Sequence, residues 1–474
     1  MNSRDLDSSI LSRWMIHRES RARASVVWML AWCVAWISLA GCESPQKESD
    51  SSSPRVILVA LDGATWTVLD RLMGDGKLPN LARMKVEGAA GTLRSEEPIF
   101  SPVLWTTIAT GKTPAEHGIE SFTVPVDGEP TPVTSNLVRT PRLWEILSSR
   151  NRSVGVIGWW TTWPATRVQG FLCSERTWPL ALSKHGMPTT SEGASTLSWR
   201  TWPENLMETV EPLIVIRDNL TASHIAEVDV RGTLGTVGSR GPCVADVYAK
   251  DITFMAVAES LYPAVRPDFF TIYLEITDVM AHYFWEYWRY HRFLRYSEPT
   301  EFDSPPQEQD AETAAYIGEN FERGYEYADR AIGRILAMAD DSTLVMVVSD
   351  HGYGENTERA RLHIGDGIYA RNSHWHLLDG VLLAWGRGVA KGVELEPASV
   401  LDIAPTVLYA MGEPSGADMP GRILTDLFED SLRGRDFGTV SSYDSLVTGG
   451  SQQAVTSDED ESYRELLRSL GYIN

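Results

Sequence analysis

The run Val56-Ile-Leu-Val-Ala-Leu61 constrains the fold of this chain more than any other feature. Six consecutive apolar residues without polar alternation do not suit a strand with one wet face. They predict a strand covered on both sides, as in parallel sheets packed between helices. Similar runs recur at Val154 to Gly158, Phe269 to Ile276, Leu344 to Val348 and Gly380 to Leu383. Helical periodicity falls between them, at Trp66 to Met73, Tyr325 to Ala339 and around Leu401 to Met411. Strands alternating with helices predict an α/β fold whose mainly parallel sheet is sandwiched by helices. Sites in such folds lie at the carboxyl ends of strands, where Asp62, Asp278 and the pair Asp350-His351 stand.

Two stretches break this rhythm. Residues 175–250 are rich in Ser, Thr and Trp and read as an insertion, a candidate cap over the main domain expected at 55–430. Tyr283 to Glu312 is unusually aromatic and reads as irregular. A polar tail, 431–474, ends with Asp458-Glu-Asp-Glu461 leading into a short helix from Ser462 to Leu470, with Leu466, Leu467 and Leu470 as its docking face. The acidic run suits a helix N-terminus.

The first 54 residues bear on the compartment. Arg13, Arg18, Arg21 and Arg23 precede an apolar run from Val26 to Ala40, which closes on Leu39-Ala-Gly-Cys42. A basic segment, a short apolar core and small residues before a cut describe an export signal, and the run is short for a membrane span. Leu-Ala-Gly-Cys resembles a bacterial lipobox, which implies a leader over 1–41, cleavage before Cys42 and lipid attachment there. Glu43 to Pro54 then forms a flexible tether. Glu43 after the cysteine points to the outer membrane, with the protein facing the periplasm.

Composition fits an exported enzyme. A chain of 474 residues, 43% hydrophobic and with 17 tryptophans, can bury a large core. The formal net charge of −22 argues against nucleic-acid binding and against adhesion to an anionic membrane surface, leaving the lipid as the membrane contact. It leaves a phosphate substrate open, because bound divalent cations reset the local charge. Of four cysteines, Cys173 and Cys243 remain free of the leader and of lipid. An oxidising compartment permits a disulfide between them, and two buried thiols are the other reading.

The polar residues near the strand ends carry the chemistry. Asp278 and His282, spaced i, i+4, share one face of a helical turn, so an oxygen and a nitrogen can meet one cation. Asp350 and His351 are adjacent, and Gly352 permits the sharp turn they need to converge. Mixed carboxylate and imidazole ligands suit zinc best, with manganese as the alternative. Ser101 is the candidate nucleophile, and a serine hydroxyl needs activation to act as one. Pro102 after it favours a helix start, where anions bind well. Thr106, Thr107 and Thr110 read as ordinary helix residues.

Val56 to Gly63 and Ser101-Pro-Val-Leu-Trp-Thr-Thr-Ile-Ala-Thr-Gly-Lys-Thr-Pro-Ala-Glu-His-Gly118 together resemble the alkaline phosphatase superfamily. Within it the chain is most similar to the type I phosphodiesterase/nucleotide pyrophosphatase branch. Thr277-Asp-Val-Met-Ala-His282, Ser349-Asp-His-Gly352, His376 before Gly380-Val-Leu-Leu383, and Asp402-Ile-Ala-Pro-Thr406 continue the match in order. The resemblance covers roughly residues 55–425. It implies two divalent metal ions, one held by Asp278, His282 and His376, the other by Asp62, Asp350, His351 and the Ser101 oxygen. His374 and His363 are rivals for the place given to His376, and His117 resembles a structural turn rather than a ligand.

The resemblance also has limits. Characterised nucleotide pyrophosphatases carry a threonine nucleophile followed by an asparagine that contacts the phosphoryl group. Here Ser101 is followed by Pro102, Val103 and Leu104, so nucleotide specificity does not transfer. Neither Ser101 nor Cys173 lies in the C/S-x-P-x-R context of sulfatases. Trp159 and Trp285 are candidates for a substrate pocket, with core packing as the competing reading. Lys112 is a candidate phosphate contact, with loop fixing favoured. The expected activity is metal-dependent cleavage of a small-molecule phosphodiester or pyrophosphate through a phosphoseryl intermediate. A phosphomonoesterase or phosphotransferase of envelope glycan or lipid is the alternative. A catalytically idle binding lipoprotein is the reading from another class.

Overall fold

The computed structural model describes residues 54–178, 199–229, 240–296, 310–354, 376–447, 453–457 and 460–470, all within one unit, Pro54–Asn474. The leader, Cys42 and the tether, together with His363 and His374, lie outside the described residues.

The sheet strands are β1 (Arg55–Leu61), β2 (Ala89–Arg94), β3 (Val154–Ile157), β4 (Gly170–Cys173), β5 (Thr201–Trp202), β6 (Phe269–Leu274) and β7 (Thr343–Val348). After them come β8 (Gly352–Tyr353), β9 (His376–Leu377), β10 (Asp379–Gly386), β11 (Val393–Glu394) and β12 (Ala398–Ser399). Ten of these strands build the main sheet in the order β11-β2-β10-β7-β1-β6-β3-β4-β5, with β12 also pairing β2, while β8 and β9 form a separate two-residue ladder. Pairings within β7-β1-β6-β3-β4 are all parallel, whereas β10 runs antiparallel to both β7 and β2.

β1 lies centrally, and its residues alternate between two cores. Ile57, Val59 and Leu61 pack into one apolar layer, and Val56, Leu58 and Ala60 into the other. This double burial is what the unbroken apolar run requires. The first layer is covered by α1 (Trp66–Gly74), α2 (Pro79–Glu87), α5 (Arg240–Val265), α6 (Ile276–Tyr296) and α7 (Ala311–Leu336). The second is covered by α3 (Ser101–Thr110), α4 (Leu143–Ser149) and α8 (Ile403–Ala410). The α/β fold with a mainly parallel sheet between helices is therefore present.

Several element bounds differ from the sequence reading. The strand expected to reach Ile276 ends at Leu274, and Ile276 opens α6. The aromatic stretch after Tyr283 is helical to Tyr296, because Phe284, Trp285 and Trp288 recur at helical spacing and bury together, Trp288 stacking on Phe321 of α7. α7 begins at Ala311 rather than near Tyr325, because Asp310 caps it by accepting the Thr313 N–H. Within 175–250, Trp178, Val210 and Val228 join the first core layer, so part of the expected insertion packs as core. α9 (Asp460–Leu470) docks through Leu467; the Leu466 and Leu470 side chains lie outside the described residues. Cys173 and Cys243 do not form a disulfide, and burial pushes the Cys173 thiol up.

Candidate active site

The carboxyl ends of β1, β6 and β7 converge as parallel neighbours, and the polar residues that follow them meet there. Asp62 comes directly after β1. Asp278 occupies the first turn of α6, with His282 one turn later, and Asp350 and His351 follow β7. His376 arrives through β9, where it pairs with Tyr353 of β8. Asp62, Asp278, Asp350, His351, His376 and His282 are all buried.

Two groups could each hold a cation among the described residues: Asp278, His351 and His376, and Asp62, Asp350 and His351. In each, one ligand atom per residue lies within 4.8 Å of the others. His351 Nε2 stands 3.4 Å from Asp62 Oδ1, 3.8 Å from Asp278 Oδ1 and 3.9 Å from Asp350 Oδ2, so it faces both groups. His282 Nε2 is 3.4 Å from Asp278 Oδ2 and 3.1 Å from His376 Nε2.

The backbone holds these side chains close by specific contacts. Gly63 has φ +64°, and a Cβ there would lie 2.7 Å from Asp278 Oδ1. Ser349 Oγ accepts the Ala64 N–H at 2.8 Å and donates to the His351 carbonyl at 2.8 Å, tying the β1 loop to the β7 loop. Ser95 donates to the Asp350 carbonyl, and Thr277 to that of Asp62. At the sharp turn expected there, Gly352 adopts no positive φ. Its role is close packing, since a Cβ would stand 2.2 Å from the Asp379 carbonyl oxygen.

The donor atoms of this arrangement suit a cation. Asp62 Oδ1, both carboxylate oxygens of Asp350 and His351 Nε2 are buried without a hydrogen-bond partner. Leaving such groups unpaired is costly, so the donor set fits a divalent metal with nitrogen and oxygen ligands. The electrostatics agree. Burial, and then the charge of Asp62, pushes the Asp350 carboxyl well up; burial and Asp278 push Asp62 up. Burial also pushes Asp278 up, but His282, His351 and His376 outweigh it and hold that carboxyl below the usual range. Burial and the neighbouring His351 and His282 push His376 well down, leaving a neutral imidazole fit for ligation.

Ser101 is buried and is the first residue of α3, whose N-cap is Phe100 rather than Ser101 itself. One turn along, Trp105 donates its indole N–H to Asp62 Oδ2 at 3.2 Å, which sets the Ser101 helix against that ligand. Thr106, Thr107 and Thr110 donate to carbonyls four residues back, the helix role expected of them. His117 is buried, bonded to Thr107 and the Ile119 N–H, and pushed down to about 3 by burial.

The residues named for a substrate pocket are placed otherwise. Trp159 is fully buried, donates to the Trp105 carbonyl at 3.0 Å and packs edge-on against Trp105 and Trp144. Lys112 pairs with Asp418, Nζ to Oδ2 at 2.6 Å, and so fixes a loop. Trp285 is buried against Trp288 and Tyr353, with Tyr353 packed in turn on His282 and His376.

Sequence reasoning missed Tyr273, Trp105 and Tyr353. Tyr353 Oη lies 3.4 Å from His282 Nδ1, and Tyr273 donates its hydroxyl to Asp62. The signal for Tyr273 was a hydroxyl inside a strand buried on every residue, where it must find a partner.

The family profile described as type I phosphodiesterase / nucleotide pyrophosphatase matches residues 56–400. Nothing among curated proteins matches the chain. Among solved structures it is similar to a mutant of the alkaline phosphatase PafA, at 13% identity, covering 80% of this chain and 99% of that one, with a TM-score of 0.40. It is similar also to BT1596, a 2-O GAG sulfatase, at 13% identity over 81% of this chain and 75% of that one, TM-score 0.44. A third is phosphonoacetate hydrolase from Sinorhizobium meliloti 1021 in complex with phosphonoformate, at 17% identity over 64% of this chain and 58% of that one, TM-score 0.35.

Proposed function

The chain belongs to the type I phosphodiesterase / nucleotide pyrophosphatase family, and on that premise we propose that it is a metal-dependent phosphohydrolase cleaving phosphodiester or pyrophosphate bonds through Ser101. The observation that carries this reading is the set of buried, unpartnered ligand atoms of Asp62, Asp350 and His351 beside the helix that starts at Ser101.

Two cations, zinc or manganese, one held by Asp278, His282 and His376 and the other by Asp62, Asp350, His351 and the Ser101 oxygen, would supply the positive charge that eases serine ionisation and neutralises the leaving oxygen. The chain's own residues do the rest. The dipole of α3 favours phosphoryl oxygens at its N-terminus, although Pro102 has no N–H and Val103 and Leu104 donate theirs to the Phe100 carbonyl. Ser101 Oγ loses its proton to solvent and attacks phosphorus, and the Oγ–P bond forms as the bond to the leaving oxygen breaks. The leaving group takes up a proton. Water then attacks the same phosphorus, breaking the Oγ–P bond and returning the hydroxyl to Ser101.

The proposal extends to place: an exported lipoprotein anchored at Cys42, with 55–430 as the catalytic region and part of 175–250 as a cap. The supporting observations are Leu39-Ala-Gly-Cys42 and the polar tether after it.

The test is turnover of bis-p-nitrophenyl phosphate against p-nitrophenyl phosphate by the domain from Pro54 onward, loaded with zinc or manganese, beside Ser101→Ala. Diester preference lost in the variant is the expected result. Monoester preference would move the protein to the phosphatase or transferase reading, and turnover that survives Ser101→Ala would remove the nucleophile from the account.

A further inference from the structure

Asp62 and Asp350 present their oxygens differently. Both oxygens of Asp350 are buried without hydrogen-bond partners, whereas only Oδ1 of Asp62 is so placed. Asp62 Oδ2 accepts two donors, the Tyr273 hydroxyl and the Trp105 indole N–H at 3.2 Å. The two donors support one another: their rings meet edge-on with centroids 5.6 Å apart, and Trp105 is held from behind by the Trp159 ring at 5.1 Å. Each sits on a rigid element. Tyr273 is the penultimate residue of β6, whose register aligns it with Ala60 of β1, and Trp105 lies in the middle of α3.

We propose that Tyr273 and Trp105 form a donor clamp that occupies Asp62 Oδ2, leaves Oδ1 as the single metal-binding oxygen, and ties the helix of Ser101 to that ligand. Both are positioning residues. The clamp rests on the metal-site reading above and deepens it. A carboxylate with one oxygen saturated cannot swing to grip an ion with both oxygens, so the ion keeps a position open for substrate. Trp105 is four residues after Ser101, hence on the same helix face, so its indole bond to Asp62 also sets how far the Ser101 hydroxyl stands from the ion bound there. Outer partners of metal ligands carry effects of about 10- to 100-fold in affinity.

The experiment is a chelator-competition titration of zinc into wild type, Tyr273→Phe and Trp105→Phe, with the visible spectrum of the cobalt-loaded proteins as a second readout. Tyr273→Phe keeps the ring packing and removes one donor. The clamp predicts that one of two ions binds about 10- to 100-fold more weakly in Tyr273→Phe while the other is unchanged. It also predicts a weaker cobalt ligand-field band, as the freed carboxylate adds a second oxygen. Trp105→Phe should give the same change at the same ion. Wild-type zinc binding with both variants unchanged in affinity and spectrum would overturn the clamp alone. A wild-type protein that takes up no zinc would overturn the site reading and the clamp with it. Should Tyr273→Phe fail to fold, Trp105→Phe decides by the same two readouts.

Discussion

In the metal-free protein Asp350 is a liability, and removing its charge should raise stability. Its carboxyl is fully buried, lacks a hydrogen-bond partner and has an oxygen within 4.8 Å of one on Asp62. At an effective dielectric constant of about 20, two carboxylates at that separation repel by about 3.5 kcal/mol. Burial and Asp62 raise the Asp350 carboxyl above its unfolded value, so the native state holds the proton more tightly than the unfolded chain. Its stability contribution therefore falls as pH rises, and the penalty is largest on the alkaline side. Asp350→Asn abolishes it. For a unit spanning Pro54–Asn474 the unfolding entropy is about 0.9 kcal/mol per degree, so 3.5 kcal/mol corresponds to a melting temperature about 4 °C higher. With zinc the gap narrows: a variant binding 100-fold more weakly forfeits about 2.7 kcal/mol of ligand stabilisation, or about 3 °C, which leaves it only about 1 °C above wild type. Differential scanning calorimetry at pH 8, with chelator and then with excess zinc, reads both. An Asn variant that melts below wild type in chelator would show that the carboxylate supports the fold, and would refute the argument that it is held ready for a cation.

Further outcomes follow from groups around the site. Asp251 of α5 accepts the N–H groups of Glu275 and Ile276, the latter at 3.0 Å, and so anchors the start of α6; burial pushes it up to about 7. A carboxyl raised in the native state loses stability as pH climbs from about 4 to 7, so Asp251→Asn should gain on wild type between pH 5 and 8, by up to about 4 kcal/mol in urea denaturation. A gain independent of pH would contradict this. Lys112→Ala should cost about 1–3 kcal/mol of stability through loss of the Asp418 pair, with KM for a diester unchanged. A raised KM at unchanged stability would restore Lys112 as a substrate contact.

The parts of the fold legible in the sequence were those where burial leaves no choice. β1, β3 and β7 are buried on every residue and almost wholly apolar because helices cover both faces, and the acids after β1 and β7 stand out against that background. α6 was misread because its core-facing aromatics alternate with Arg and Glu, a pattern that resembles a loop until Trp285 and Trp288 are seen to share a face against α7. Spacing brought Asp278 and His282 together on one helix, a local geometry. It could not show that His351 faces both ligand groups, which depends on how the β7 loop crosses the end of β1. Tyr273 and Trp105 were silent for a related reason. Each occupies an ordinary core position, and its polar atom acquires a role only through contact with Asp62, 211 and 43 residues away in the chain.

The most direct test of the central claim is to trap the enzyme during turnover. Zinc-loaded protein mixed with bis-p-nitrophenyl phosphate, quenched in acid within one turnover and digested, should yield a phosphorylated peptide whose modified residue is Ser101 by tandem mass spectrometry. Ser101→Ala should yield none. Turnover accompanied by phosphate on another residue, or by no covalent phosphate in burst-phase samples, would contradict the assignment of Ser101 as the group that attacks phosphorus.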